Sequence, residues 1–235
     1  MGGLVCAPCS KMLLLSQKMK ERYDAEKTAV LVHGYGVHMP DWEWIVWGKP
    51  QDRVLGRASR GLELACANDA DLLYVGGGGS SKDGELEGQI IYEHMLNHAN
   101  ELHTFNICER GDAMRILTKN THVDTHSKNT FDETMNFMRL CDARGIENLT
   151  LVSSPFQGPR CQKIGDTLRI LYQNVALRVA TITADTDPKG ERVSHVVIVE
   201  PRHPMNPHVR RMLDIPKEKM SGFGAELDSL LARYA

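Results

Sequence analysis

Short apolar runs and longer amphipathic stretches alternate along this chain. Ala29-Val-Leu-Val-His33, Leu72-Leu-Tyr-Val75 and Leu149-Thr-Leu-Val-Ser153 are continuous, rich in β-branched and large aliphatic residues, and too short for helices. Such runs are typical of strands buried on both faces. Between them the apolar positions recur at helical spacing. Helices are predicted over residues 10 to 27, 56 to 67, 85 to 99, 130 to 144, 159 to 171 and 225 to 234. Further strands are expected over 176 to 183 and 195 to 199, and near Arg115-Ile-Leu-Thr118. Thr130 and Glu133 have the spacing of a capping box, with Thr130 as N-cap. Alternating strands and helices imply right-handed crossovers and a parallel sheet covered on both faces. The expected fold is therefore α/β, a Rossmann-like three-layer α/β/α sandwich with a mostly parallel sheet. A helical extension over residues 1–28 would precede a single domain over 29–235. An insertion at about 35–54 holds Trp42, Trp44 and Trp47. Long segments of this kind serve as lids or as staples on the core.

Composition narrows the partners. A 235-residue chain can bury a sizeable core. Its formal net charge of -2 gives no electrostatic case for nucleic acid. No apolar run approaches a membrane span, and Met12-Leu-Leu-Leu15 is too short for a signal-peptide core. The expectation is a cytoplasmic protein with neither nucleic acid nor membrane as partner. Of six cysteines, Cys66, Cys108, Cys141 and Cys161 are scattered, as reduced thiols would be. Cys6-Ala-Pro-Cys9 has redox or half-zinc spacing, but no strand precedes it and no second ligand pair follows.

Four polar clusters sit where strands end or helices begin. They are Leu31-Val-His-Gly-Tyr-Gly36, the glycine run Gly76 to Gly79 with Glu85 and Glu87, Ser127-Lys-Asn-Thr-Phe-Asp132, and Leu151-Val-Ser-Ser-Pro-Phe-Gln-Gly-Pro-Arg160. Open parallel sheets bind ligands beyond the carboxyl ends of their strands, so these clusters are expected to share one site. Gly34, Gly36, Gly77 and Gly78 would let main-chain N–H groups approach an anion. Neither a G-x-G-x-x-G fingerprint nor a Walker loop is present, and no G-x-S-x-G elbow. Arg160, in the first turn of its helix, opposes the helix dipole and makes most sense facing an anion. Arg57 stands likewise before a helix. Ser127, Asn129 and Thr130 combine capping with ligand contact. Ser153 and Gln157 lie in the fourth cluster. Glu87 is the candidate acid/base, helped by Asp124 or His126. In an extended His122-Val-Asp-Thr-His126, the alternate residues would share a face and leave room for a divalent metal.

At these residues the chain resembles the YdcF/SanA/ElyC-like proteins (domain of unknown function 218), over roughly residues 29 to 200. The resemblance runs through Val32-His-Gly-Tyr-Gly36, Arg57, Gly76-Gly77-Gly78, Glu87-Gly88, Ser127-Lys-Asn-Thr-Phe-Asp-Glu133 and Ser153-Ser-Pro-Phe-Gln-Gly-Pro-Arg160. It implies a Rossmann-like fold and a ligand site. Some members look like S-adenosylmethionine binders. Others are linked to cell-envelope metabolism. Gln157 stands where that family has histidine, and glutamine is no acid or base. The family's Glu-Asn pair is replaced by Asp132 and Glu133. The leading reading is an enzyme, hydrolytic or group-transferring, acting on a small anionic metabolite such as a nucleotide or adenosyl compound. Trp42 to Trp47 would close over it. A non-catalytic module binding S-adenosylmethionine or a nucleotide is the alternative. A third reading makes the clusters caps and turns of a structural protein.

Overall fold

A computed structural model describes residues 26–171 and 176–188. Nine elements build the main unit. In chain order they are β1 (Thr28–Val32), α1 (Arg57–Ala67), β2 (Leu72–Val75), α2 (Glu87–His98), β3 (Thr121–Val123), α3 (Thr130–Arg144), β4 (Asn148–Ser153), α4 (Gly158–Leu171) and β5 (Arg178–Thr183). The five strands form one parallel sheet in the order β3-β2-β1-β4-β5. In register, Val30 lies between Leu73 and Thr150, and Val32 between Val75 and Val152. The chain works outward from β1 in one direction, then returns to start again at β4. That reversal is a topological switch point, where open α/β sheets bind ligands.

Strand alternation sorts the core into two layers. Val30, Val32, Leu73 and Val75 face one side and pack with Leu62 and Ala65 of α1 and Ile91 and Met95 of α2. Ala29, Leu31, Leu72 and Tyr74 face the other, against Phe131, Phe137 and Met138 of α3 and Cys161 and Leu168 of α4. The result is the α/β/α sandwich that the hydrophobic pattern predicts. Helix α1 lies unusually close to the sheet. A Cβ placed on Gly61 would sit 2.2 Å from Val32 Cγ2, so only glycine fits there.

The insertion after β1 is ordered rather than irregular. It folds into a short helix, Trp42–Val46, and an antiparallel ribbon pairing Gly48–Lys49 with Val54–Leu55. Trp42 and Trp47 are buried. Their rings pack edge-on against His94 of α2, at 5.2 and 5.7 Å between centroids. Trp47 also donates from Nε1 to Glu101 Oε2 at 2.8 Å. These two tryptophans therefore staple the insertion to the α1/α2 layer and do not close over the strand ends. Trp44 is partly exposed.

Other boundaries moved for identifiable reasons. The expected strand near 115–118 is the end of a helix, Arg110–Arg115, running into a π-helical turn, Ile116–Asn120. Its apolar residues Ile116 and Leu117 are buried as a helical face, and the strand follows at Thr121. Glu85 lies in a small ribbon, Ser81–Lys82 with Glu85–Leu86, rather than in α2. Asn129, not Thr130, caps α3: its side-chain oxygen accepts from the Asp132 N–H at 2.9 Å. Glu133 is thereby freed from the capping box. The helix expected over 10 to 27 falls largely, and Cys6-Ala-Pro-Cys9, the strand over 195 to 199 and the helix over 225 to 234 wholly, outside the described residues. Among those described, no helix is long and apolar enough to cross a membrane.

Replacing Gly61 by alanine is expected to destabilise the fold by about 1–3 kcal/mol, the usual range for overpacking a tight interface. Urea unfolding measures it. Shortening the opposing residue in the same chain (G61A with V32A) should cost less than the two single changes added together.

Candidate functional site

All five strands end on one edge, where His33, Gly76, Asp124 and Ser153 stand at or just after the ends of β1 to β4. His33 follows β1 and donates its main-chain N–H to Val152 O at 3.0 Å. Gly76 follows β2 and bonds Val32 O at 2.9 Å, and Asp124 follows β3 and bonds Val75 O at 2.9 Å. Ser153 closes β4. The helices α1, α2, α3 and α4 begin on the same edge, which brings Arg57, Glu87, Glu133 and Gln157 together there.

Arg57 is the centre of this arrangement. It has no exposed surface. Its Nε donates to Ser154 Oγ at 2.9 Å, Nη1 to Gly34 O at 2.5 Å and Nη2 to Gln157 Oε1 at 3.1 Å. The guanidinium also lies 5.1 Å from the Tyr35 ring centroid, a cation–π distance. Burial lowers its pKa, while the negative charges of Cys161, Glu133 and Glu87 work in the opposite sense. A guanidinium nevertheless stays charged in proteins. Gln157 thus has a structural task. It accepts from Arg57 and lies 3.3 Å from Ser153 Oγ.

Two carboxylates converge on Gly34. A Cβ there would meet Glu87 Oε1 at 2.2 Å and Glu133 Oε1 at 3.1 Å. Both are almost fully buried. The Glu87 carboxyl is pushed up to about 7, mainly by burial. The negative charge of Glu133 adds to the rise. A hydrogen bond donated by the Ser80 hydroxyl, and the charges of Arg57 and His38, restrain it. A carboxyl poised near neutrality is what acid/base chemistry needs. Glu133 reaches across to His33, whose Nδ1 is 2.7 Å from Oε2. A carboxylate in that position fixes the orientation of the ring. His33 is itself buried. Cys161 adjoins the pair. Burial pushes its thiol up, but His33, Ser153 and Arg57 outweigh that and leave it lowered.

The glycine run is a close-packing device. Gly77, at φ +136°, has no room for a side chain beside Glu87 Cγ and Gly88 N, both 2.8 Å from its notional Cβ. Gly78 and Gly79 lie against the main chain of Thr125, Ser127 and Lys128, and Gly76 against the Glu133 carboxylate. Lys128 Nζ donates to Gly78 O at 3.1 Å. The loops after β2 and β3 are thus locked together beside Glu87.

The remaining expected residues divide. Arg160 Nη2 donates to Thr130 Oγ1 at 2.5 Å, joining the starts of α3 and α4. Gly36 lies against the His38 ring. The hydrogen bonds of the Asp124 side chain run to His126 and Ser127, and that of Glu87 to Ser80. The strand ends at Val123, so the two-residue alternation stops there. Asp124 is buried and accepts from His126 N at 2.8 Å, Ser127 N at 3.1 Å and the Ser127 hydroxyl, a turn that shapes its own loop. Burial raises its pKa, but those bonds and the Tyr74 hydroxyl hold it below the usual carboxylate range. His122 and His126 are exposed. Among the described residues, no group of three or more histidine, cysteine or acidic side chains could hold a metal ion.

His33 and Glu133 are the residues that sequence reasoning undervalued. His33 ends a buried strand at the switch point, a usable signal. The capping-box spacing gives Glu133 a local role in the sequence, but it is Asp132, its neighbour, that bonds Asn129. Comparison with protein-family models, curated proteins and solved structures finds no match to this chain.

Two outcomes follow from the buried charges. Glu87 titrates near 7 in the fold and near 4.5 as an ordinary carboxyl. Its protonated form therefore favours the fold fully below pH 4.5, and that contribution fades as pH rises through 7. The interval is worth about 3 kcal/mol. Glu87→Gln should gain stability relative to the native chain by about that amount between pH 4.5 and 8, measured by urea unfolding at each pH. Arg57→Ala leaves two buried carboxylates without their cation. It should cost about 3–5 kcal/mol, seen in the same measurement.

Proposed function

We propose that this chain is an enzyme, hydrolytic or group-transferring, that acts on a small anionic metabolite at the carboxyl edge of its sheet. A nucleotide or adenosyl compound is the class in view. The observation that carries this reading is the convergence of Glu87, Glu133, His33 and Arg57 at the switch point, with Glu87 near neutrality. Glu87 takes the role of general base, able to accept a proton at pH 7 and return it later. Glu133 holds His33 in one orientation. Arg57 keeps both carboxylates inside the fold, and its field together with Arg160 and Lys128 favours an anion. The sequence resemblance to YdcF-like proteins supports the same reading.

One observation favours a second reading. Gln157 replaces the histidine of the resembling family and is engaged by Arg57. A site that lacks that acid/base group suits a non-catalytic module binding S-adenosylmethionine or a nucleotide.

The two separate cleanly. The native chain, Glu87→Gln and Glu133→Gln are titrated with S-adenosylmethionine, adenosine phosphates and other small phosphates, and turnover is followed by mass spectrometry. An enzyme keeps binding in Glu87→Gln and loses turnover by roughly 10²–10⁴-fold, the usual contribution of a general base. In the native chain kcat/KM then rises with pH to a plateau above about 7, and the variant lacks that limb. Binding without turnover in the native chain sinks the catalytic reading and leaves the binding module. Neither binding nor turnover across the series sinks both.

A further inference from the structure

A second chemistry lies away from the strand ends. Cys66 is in the last turn of α1, and Cys108 is in the connector between the short helix Leu102–Phe105 and the helix Arg110–Arg115. Their sulfurs are 3.0 Å apart, about 1 Å longer than a disulfide bond of about 2.05 Å. Both are free thiols and both are partly exposed, whereas Cys141 and Cys161 are buried. Nearby, the turn after α1 and the end of the helix that follows the connector are joined by an ion pair, Arg115 Nη2 to Asp69 Oδ1 at 2.5 Å. Little movement is needed to join the sulfurs.

We propose that Cys66 and Cys108 are a thiol–disulfide exchange site, oxidised by a small-molecule disulfide of the glutathione type to a bond that ties α1 to the connector. Cys108 attacks first. Its thiol is lowered by the hydrogen bond from Cys66, against burial and three nearby carboxylates, and Cys66 is raised by the same bond. The Cys108 thiolate displaces one glutathione thiolate and leaves a mixed disulfide on Cys108. Cys66 no longer shares its proton with a thiolate, so its own pKa falls. It loses that proton to solvent and attacks the Cys108 sulfur, expelling the second glutathione thiolate. Two protein thiols are oxidised to one disulfide, and one glutathione disulfide is reduced to two thiols. The order of attack follows from the thiolate being the nucleophile: the thiol with the lower pKa supplies more of it.

The full-length chain is equilibrated with oxidised and reduced glutathione at a series of ratios, quenched with acid, alkylated and digested. Peptide mapping by mass spectrometry should find the Cys66 peptide joined to the Cys108 peptide, with Cys141 and Cys161 alkylated as free thiols. Cys66→Ser should stop at the mixed disulfide on Cys108. Cys108→Ser should slow modification of Cys66 by at least tenfold. A native chain that accumulates glutathione on Cys108 without the 66–108 bond overturns the proposal, as does one in which both residues stay free at every ratio. Because the native chain alone decides these outcomes, a variant that fails to fold does not blunt the test.

Discussion

Arg57 is the constraint on which the rest of the site depends. A guanidinium with no exposed surface must place its N–H groups on protein acceptors. Here those acceptors are the carbonyl after β1 and side chains after β4. One residue therefore fixes the spacing of the two strand ends that flank the switch point. Its charge also makes tolerable the burial of Glu87 and Glu133, which would otherwise repel one another at short range. Without it Glu87 and Glu133 would be buried side by side with no guanidinium to offset their charge.

The fold was legible because burial on both faces writes itself as continuous apolar runs. Ala29–Val32, Leu72–Val75 and Leu149–Val152 are such runs, and the sheet they form is parallel as expected. The site was legible only by position. Loops at strand ends were correctly grouped on one edge, since a parallel sheet puts all of them there. Which side chain does what was not readable. Asp124 and His126 alternate like strand residues, but the strand stops one residue early and the carboxylate turns into its own loop. Glu133 looked like a cap because the local pattern allowed it. Asn129 took the cap, and a long-range partner, His33, took the glutamate. Local patterns cannot weigh contacts made a hundred residues away.

The tryptophans carry the same lesson from the other side. Three indoles within six residues invite a reading as a ligand cover, yet two of them are core residues of the layer holding α1 and α2. Large rings are most often placed where they remove the most apolar area from water. The glycine run is comparable. Its sequence suggests an anion cradle, while its packing shows two loops brought into main-chain contact.

Glu87 and Arg57 come from helices on one face of the sheet, and Glu133 from a helix on the other. The proton affinity of Glu87 is therefore set across the sandwich: Glu133 raises it from the far layer, and Arg57 lowers it from its own. Any shear of one helical layer against the other changes those two distances unequally. The acidity of this one carboxyl is thus tied to how the two helical layers are seated on the sheet.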